Sequence, residues 1–303
     1  MATIPHFIPA RHLALLALTL GLAGCAALNA LKEAAEPVPQ PCTAPPLDRN
    51  SLAGAYLRWP AVESQSFDAI FVTGSASRAG QPRSLQIGDL SLDRIGGGDA
   101  QGRGLRGSRG STLKLQPGFG ASGKLPNVYD LGYRATEGEF AGTVVLGPGP
   151  AGDEIPTSGT TGHGGRVVVQ LGTPAGAGGA AVQAVGRFTL AAGYGTRRGT
   201  FTADLAGGGL PFSRITWSNL YLCGGRFVSS GQGEVLVTDG GGTHPPFRSG
   251  AEPVPLVSHF EAALIAPPTR PGPPTGAGGV FAVQSDLGAI TGVFLSDQPG
   301  AAP

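Results

Sequence analysis

The chain has 303 residues, 41% of them apolar, enough to bury a core in one large or two modest domains. Glycine (52) and proline (27) together supply about a quarter of the residues without a strict Gly-x-y period, which excludes collagen and implies that some segments are loose. A formal net charge of +1 and a charged fraction of 14% give no field for steering nucleic acid or coating an anionic bilayer, so nucleic acid is not an expected partner.

Behind His6, Arg11 and His12 comes an almost uninterrupted apolar run, Leu13 to Gly24. It is too short to span a bilayer and has the length of the h-region of a secretory signal. The run ends in Leu22-Ala23-Gly24-Cys25, which resembles the lipobox of bacterial lipoproteins. Small residues let the scissile bond enter a peptidase, and the cysteine thiol carries the lipid. A simple signal peptide with an incidental cysteine explains the position of Cys25 less well. The resemblance implies that residues 1–24 are removed and that the mature chain starts at an acylated Cys25. Ala26 is not the aspartate that would suggest inner-membrane retention in enteric bacteria, so the expected anchor is the outer membrane, at its periplasmic face or at the cell surface. Several acyl chains hold far more firmly than one, because each buried methylene contributes roughly 0.8 kcal/mol.

Residues 25–49 then read as a tether. "AALNALKEAAE" can form a short helix with Leu28 and Leu31 on one side, and "PVPQPCTAPP" is a stiff, extended spacer. Export changes the meaning of the remaining cysteines. In an oxidising envelope Cys42 and Cys223 favour a disulfide over a metal site. Such a bond closes a loop of about 180 residues, for which the chain-entropy model gives about 5 kcal/mol as an upper value. The alternative is that Cys223, within "NLYLC", is a buried small hydrophobe.

Beyond the tether no dozen residues keep an apolar i, i+3, i+4, i+7 pattern free of Gly or Pro, while short β-branched and aromatic runs between turn residues recur throughout. The fold class is therefore all-β. Over 50–150 the predicted strands are irregularly spaced: "FDAIFVTG", "RSLQI", "STLKL", "NVYDLGY" and "EFAGTVVL". Over 151–303 eight runs come more evenly: "GRVVVQL", "AVGRFTLAA", "GTFTADL", "RITWSNLYL", "EVLVTD", "LVSHFEAALI", "GGVFAV" and "AITGVFL". Two hairpins there repeat a Gly-x-Phe unit at an offset of thirteen, Gly186 to Gly199 and Gly279 to Gly292. Glycine permits a bend or a close approach, and Phe two residues later shares its face. Eight antiparallel strands bent in this way predict a closed barrel, with the terminal hairpin as the closing pair.

In this order the runs resemble the β-barrel lobe of bacterial transferrin-binding protein B and its surface-lipoprotein relatives. "IPTSG" (Ile155 to Gly159) followed by "GGRV" is similar to the opening of that barrel, the hairpin Gly186 to Leu205 to its internal small-apolar strand pair, and "HFEAALIAP" with "GGVFAV" and "GVF" to its closing strands. The match spans about 140 residues together with the style of the leader. It implies a handle-like β region over 50–150, an eight-stranded barrel over 151–303, and a role in taking up iron, another metal or a solute. The implied partners are a protein or small-molecule ligand and a TonB-dependent receptor. No stretch matches a transferrin-contacting segment, so no contact residues carry over.

Chemical motifs are weak. "GRGLRG", Gly102 to Gly107, fits G-x-G-x-x-G without the following helix that would offer a phosphate its N-terminus. "STLK", Ser111 to Lys114, fits S-x-x-K, but a strand puts the two side chains on opposite faces. "GGGDA" is a single copy of a calcium-turn unit that works in stacks. Arg94, Arg103, Arg106 and Arg109 mark a basic glycine-rich loop, read first as solvated charge. His163 in "TGHGG" and His244 in "THPP" read as loop histidines, and His259 falls in a strand. Trp59 and Trp217 read as core or rim anchors. The candidate ligand-binding residues are His163, His259 and Trp217, with haem or another small apolar molecule in the barrel as the alternative cargo and no resident cofactor or metal otherwise expected. No carboxylate pair or Ser/His/Asp set stands out, and the chain is expected to bind rather than to catalyse, with a purely structural envelope role as the third reading.

Overall fold

The computed structural model describes residues 47, 51–59, 68–76, 82–88, 90–93, 105–107, 112–115, 127–135, 138–172, 182–229, 235–245, 257–267, 272–285 and 288–297. Cys25, Cys42, the signal segment, the "GGGDA" turn, Ser111, Arg94, Arg103 and Arg109 lie outside them, as does all of the tether except Leu47.

The expected all-β class holds: eighteen strands and one 3-10 turn, Gly152–Glu154, make up the described secondary structure. The first eight are β1 Ser51–Trp59, β2 Asp68–Ala76, β3 Pro82–Ile87, β4 Leu90–Asp93, β5 Leu105–Gly107, β6 Thr112–Leu115, β7 Asn127–Ala135 and β8 Gly138–Pro148. Each pairs antiparallel with its neighbour in sequence, and β1 pairs with both β2 and β8, so the order closes on itself. This region is more regular than the sequence predicts. β1, β4 and β5 were not expected as strands: β1 carries Gly54 and Ala53 among its apolar residues, and β4 and β5 are only four and three residues long. Its interior is mostly aliphatic, with Leu52, Val72, Leu85, Ile87, Leu90, Leu92, Leu131, Val144 and Leu146 around Tyr56 and Tyr129.

The second half holds β9 Thr160–Gly172, β10 Val182–Gly193, β11 Arg198–Ala206, β12 Arg214–Cys223, β13 Arg226–Val228, β14 Val235–Asp239, β15 Gly242–His244, β16 Val257–Ile265, β17 Gly276–Ser285 and β18 Gly288–Ser296. β18 pairs with β9, as expected of a closing hairpin, and β11 pairs with β12. The ring β9-β10-β11-β12-β13-β16-β17-β18 is therefore an eight-stranded antiparallel barrel. One expected member is displaced. "EVLVTD" forms β14, which pairs with Arg214 to Trp217 of β12 and with the short β15, while the three-residue β13 occupies the place next to β16. β13 is too short to show a period in sequence, and it exists because Gly224 and Gly225, both at positive φ (52° and 84°), turn the chain back in two residues.

Register decides what the Gly-x-Phe repeat does. In β17–β18, Gly279 faces Phe294 and Phe281 faces Gly292. A Cβ at Gly279 would come within 2.7 Å of Phe294 Cζ, and one at Gly292 would overlap the Phe281 ring, so each ring fills the notch of the opposite glycine. In β10–β11 the same spacing has another register: Gly186 faces Leu205 and Phe201 faces Leu190. A bulge on β12 also departs from a plain strand. Asn219 takes φ 58° where the pairing with β11 slips between Gly199 and Phe201, and Trp217 and Leu220 thereby both turn inward.

The two barrels pack through the outer faces of β1, β7 and β8 on one side and β16–β18 on the other. Ala55, Leu57, Val128 and Val145 meet Ile265, Val280, Ala282 and Leu295 there.

Candidate functional site

A ligand carried inside the C-terminal barrel would need a hollow, and the inward positions are taken by large rings. Phe188, Phe201, Trp217, Phe227, Phe260, Phe281 and Phe294 are all buried in one cluster with aliphatic residues of every ring strand but β13, whose one member is Phe227. Phe201 is the hub: its ring centre lies 4.6 Å from Phe294, 5.2 Å from Phe260, 5.5 Å from Phe281, 5.7 Å from Phe188 and 6.4 Å from Trp217. These separations are those of mutually packed aromatic pairs, mostly tilted or edge-on. Phe212, from the connection between β11 and β12, joins the cluster at the end where β9 finishes, and Ile155 packs on it from the segment before β9.

Trp217 therefore sits inside the packing, wholly buried, and its Nε1 has no hydrogen-bond partner among the described residues. His163 requires a correction. The glycines beside it suggest a solvated loop, yet it lies in β9 opposite Leu190 and is only 3% exposed. The alternation of β9 runs straight through the glycines, sending His163, Gly165, Val167 and Val169 inward and Gly162, Gly164 and Arg166 outward. Small outward residues look like a loop in sequence but leave a strand with a bare outer surface. His163 Nε2 is 3.1 Å from Thr161 Oγ1, and that hydroxyl is 3.0 Å from the Tyr194 hydroxyl. Burial holds the imidazole below its ordinary pKa, against a smaller opposite effect of a hydrogen bond to the Thr275 backbone. A neutral ring lets Nε2 accept from Thr161, which in turn accepts from Tyr194, so the network is satisfied without charge. Chemically it is an internal polar plug at one end of the barrel.

His259 is half-buried on the outer face of β16, opposite Ala282, well apart in the strand order from His163 on β9. The structure does not bring His163, His259 and Trp217 into one site. His244 is the end of β15 rather than a loop residue. Its Nε2 lies 3.0 Å from Asp239 Oδ2 and its Nδ1 2.7 Å from the Pro245 carbonyl oxygen. The Pro245 backbone and the Asp239 carboxylate raise its pKa, and Asp239 is lowered in return. No group of three or more His, Cys, Asp or Glu able to hold a metal occurs among the described residues. Cys223, almost fully buried at the β12 end of the two-glycine turn, is disulfide-bonded.

A charged pair that sequence reasoning missed lies between the barrels. Arg226 of β13 donates from Nε and Nη2 to the two carboxylate oxygens of Glu261 in β16, at 2.6 Å each. Glu261 is 1% exposed, and desolvation pushes its carboxyl up to about 7 against the downward pull of Arg226. Nothing local in "HFEAALI" marks Glu261 as buried on both sides, because its cover comes from another barrel. The accessible polar features are on the rims and outer faces: the Arg214–Asp204 pair, Arg187 with Asp297 at 2.6 Å, and Arg198 stacked 3.7 Å over the Tyr221 ring.

No protein-family model matches the chain, and no curated protein matches it. Among solved structures, the intact Ap-TbpB (N and C lobes) is similar over 81% of this chain and 45% of its own, with 15% identity and a TM-score of 0.41. A transferrin binding protein B mutant from Haemophilus parasuis Hp5 is similar over 82% of this chain and 45% of its own, with 15% identity and a TM-score of 0.41. HpuA from Kingella denitrificans, solved in complex with human haemoglobin, is similar over 84% of this chain and 95% of its own, with 13% identity and a TM-score of 0.36. The chain thus spans less than half the length of the two transferrin binding proteins.

Proposed function

We propose that the protein is a lipid-anchored binding protein of the outer membrane that engages a partner through the rims, loops and outer faces of its two barrels, in the acquisition of iron, another metal or a solute, and that it is not an enzyme. The observation that carries this reading is the aromatic filling of the C-terminal barrel: with Phe201, Trp217, Phe281 and Phe294 occupying the inward positions, recognition is left to the outside. The lipobox ending in Cys25 and the sequence resemblance of the barrel strands to transferrin-binding surface lipoproteins support the location and the role. A TonB-dependent receptor in the same membrane is the partner that would pass an acquired metal or haem inward.

The test uses the mature chain, displayed on cells and as purified protein. Human transferrin and haemoglobin are offered to the immobilised protein, and haem is offered separately with the complex read by native mass spectrometry. Saturable binding of either protein, with free haem ignored, is the expected result. Stoichiometric uptake of free haem without protein binding overturns the reading in favour of a container. Changing Cys25 to Ser is expected to release the chain from the membrane fraction, and continued membrane retention of that variant overturns the lipid anchor.

A further inference from the structure

Glu261 is the only carboxylate among the buried residues described, and it points into neither barrel. Along β16 Phe260, Ala262 and Leu264 join the aromatic interior, so Glu261 stands on the outer face, between Val228 of β13 and Val280 of β17 in register. The N-terminal barrel covers that face. Arg226 holds Glu261 through two parallel hydrogen bonds, and its Cζ lies 5.1 Å from the centre of the Phe71 ring on β2. The ion pair thus belongs wholly to one barrel, and the aromatic face beside it to the other.

Stability alone does not explain a charge in this place. Taking a carboxylate and a guanidinium out of water costs several kcal/mol, and a well-packed apolar pair of similar volume is often at least as stabilising. What the apolar alternative lacks is direction. Ala55, Leu57, Val145, Val280 and Ala282 form an apolar contact of small and branched side chains. It is pinned at the Pro148 end by the Ala266 N–H donating to the Pro148 carbonyl oxygen at 2.8 Å and by Ile265 and Val145 seated on Gly147 and Gly278, so that what the apolar contact leaves open is a pivot about that end. The bidentate pair fixes the plane of the guanidinium, and Phe71 can meet that plane in one register only. A pivot would take the ring off the cation and leave a partly desolvated charge without its cover.

We propose that the Arg226–Glu261 pair with Phe71 is an orientation lock, which sets the N-terminal barrel on the C-terminal barrel in a single arrangement and makes the two present their loops as one rigid body. Domains joined by a modest interface otherwise move relative to one another. The lock therefore matters for any partner that touches both barrels.

The test measures the distance distribution between spin labels carried by an unnatural amino acid at exposed Gln86 of β3 and exposed Thr189 of β10, which avoids the native cysteines. The otherwise unchanged chain is expected to give one narrow peak. The double variant Arg226→Met with Glu261→Leu keeps the interface apolar and is expected to retain its unfolding midpoint while the peak broadens or splits. A peak as narrow as the parent's in that folded variant overturns the proposal, as does a broad peak in the parent. Phe71→Leu keeps the ion pair and most of the apolar area, so it supplies the answer if the double variant does not fold: broadening is expected, and an unchanged width overturns the lock.

Discussion

The two barrels solve one problem by different means. Both close eight antiparallel strands and must fill the space inside, but the N-terminal barrel fills it with aliphatic side chains around Tyr56 and Tyr129, whereas the C-terminal barrel uses a connected set of phenylalanines around Trp217. Rings need room, and glycines opposite them provide it: Gly292 under Phe281 and Gly279 under Phe294. The high glycine content of this chain is thus partly a packing device in the C-terminal barrel. It also explains why the C-terminal half shows itself in sequence. An aromatic-plus-glycine strand carries its own signature, and an aliphatic strand of three or four residues does not.

The largest expected effect tests the hub. Phe201→Ala removes one ring from contact with five others, and the loss is expected to cost about 3–5 kcal/mol, the range for a large aromatic truncated in a packed core. Denaturant unfolding followed by near-ultraviolet circular dichroism is the measurement. The matched change in the other barrel, Leu92→Ala, is expected to cost about 2–5 kcal/mol while leaving the aromatic signal of the folded state intact. A Phe201→Ala protein with unaltered aromatic dichroism would mean that the rings do not act as one cluster.

These residues also mark how far the sequence could be read. The all-β class, seven of the eight ring strands and the closing role of β18 were visible because alternation and turn residues are local properties. β13 was not, since its existence depends on a two-glycine turn and on a neighbour, β16, far along the chain. The inward placement of His163 was hidden by the glycines that alternate with it, which remove the outward side chains from which alternation is read. Glu261 was invisible for a different reason: its burial depends on contact between barrels, and no period in β16 reports that. The Gly-x-Phe repeat was seen, but its reciprocal packing in one hairpin and not in the other follows from register, which spacing alone does not set.

The next effect down concerns the boundary between the barrels. Arg226→Met leaves Glu261 buried without its partner and is expected to cost about 3 kcal/mol, at the low end for a broken buried pair because the carboxyl can take up a proton instead. Adding Glu261→Leu to that variant is expected to recover most of the loss, since no charge then remains to be solvated. Thermal unfolding of the single and double variants separates these outcomes, and a double variant no more stable than the single one would show that the pair contributes beyond its own desolvation.

The pH dependence sets the two regions against each other with opposite signs. Glu261 titrates near 4.5 in the unfolded chain and about 7 in the folded one, so the folded state binds its proton more tightly. The stability this contributes is fully present below about pH 4.5 and is lost as the pH rises through 7. His163, inside the barrel, has the reverse linkage: its folded pKa is below the ordinary 6.5, so its contribution is present above pH 6.5 and is lost as the pH falls through the lowered value. Glu261→Gln is expected to flatten the decline in stability between pH 5 and pH 7, and His163→Gln to flatten the decline on the acid side. Unfolding midpoints measured in steps across this range check both, and unchanged slopes in the two variants would remove these groups as the source of any pH dependence.

The smallest expected effect is the most informative about how the C-terminal barrel tolerates its own cost. Trp217 places an indole N–H at Nε1 inside the aromatic cluster with no acceptor among the described residues. A buried donor left unpaired costs about 1–3 kcal/mol, whereas losing part of a large ring costs a similar amount in packing. Trp217→Phe removes both at once, and the two terms are expected to cancel to within about 1 kcal/mol. Denaturant unfolding of the variant measures the balance. A loss well above that range would mean that ring volume dominates, Trp217 being packed against Phe260 and Phe281 with ring centres 5.6 and 4.8 Å away, and that the unpaired N–H costs little in this site. A gain in stability would mean the opposite: the barrel keeps a tryptophan at a cost to its own folding.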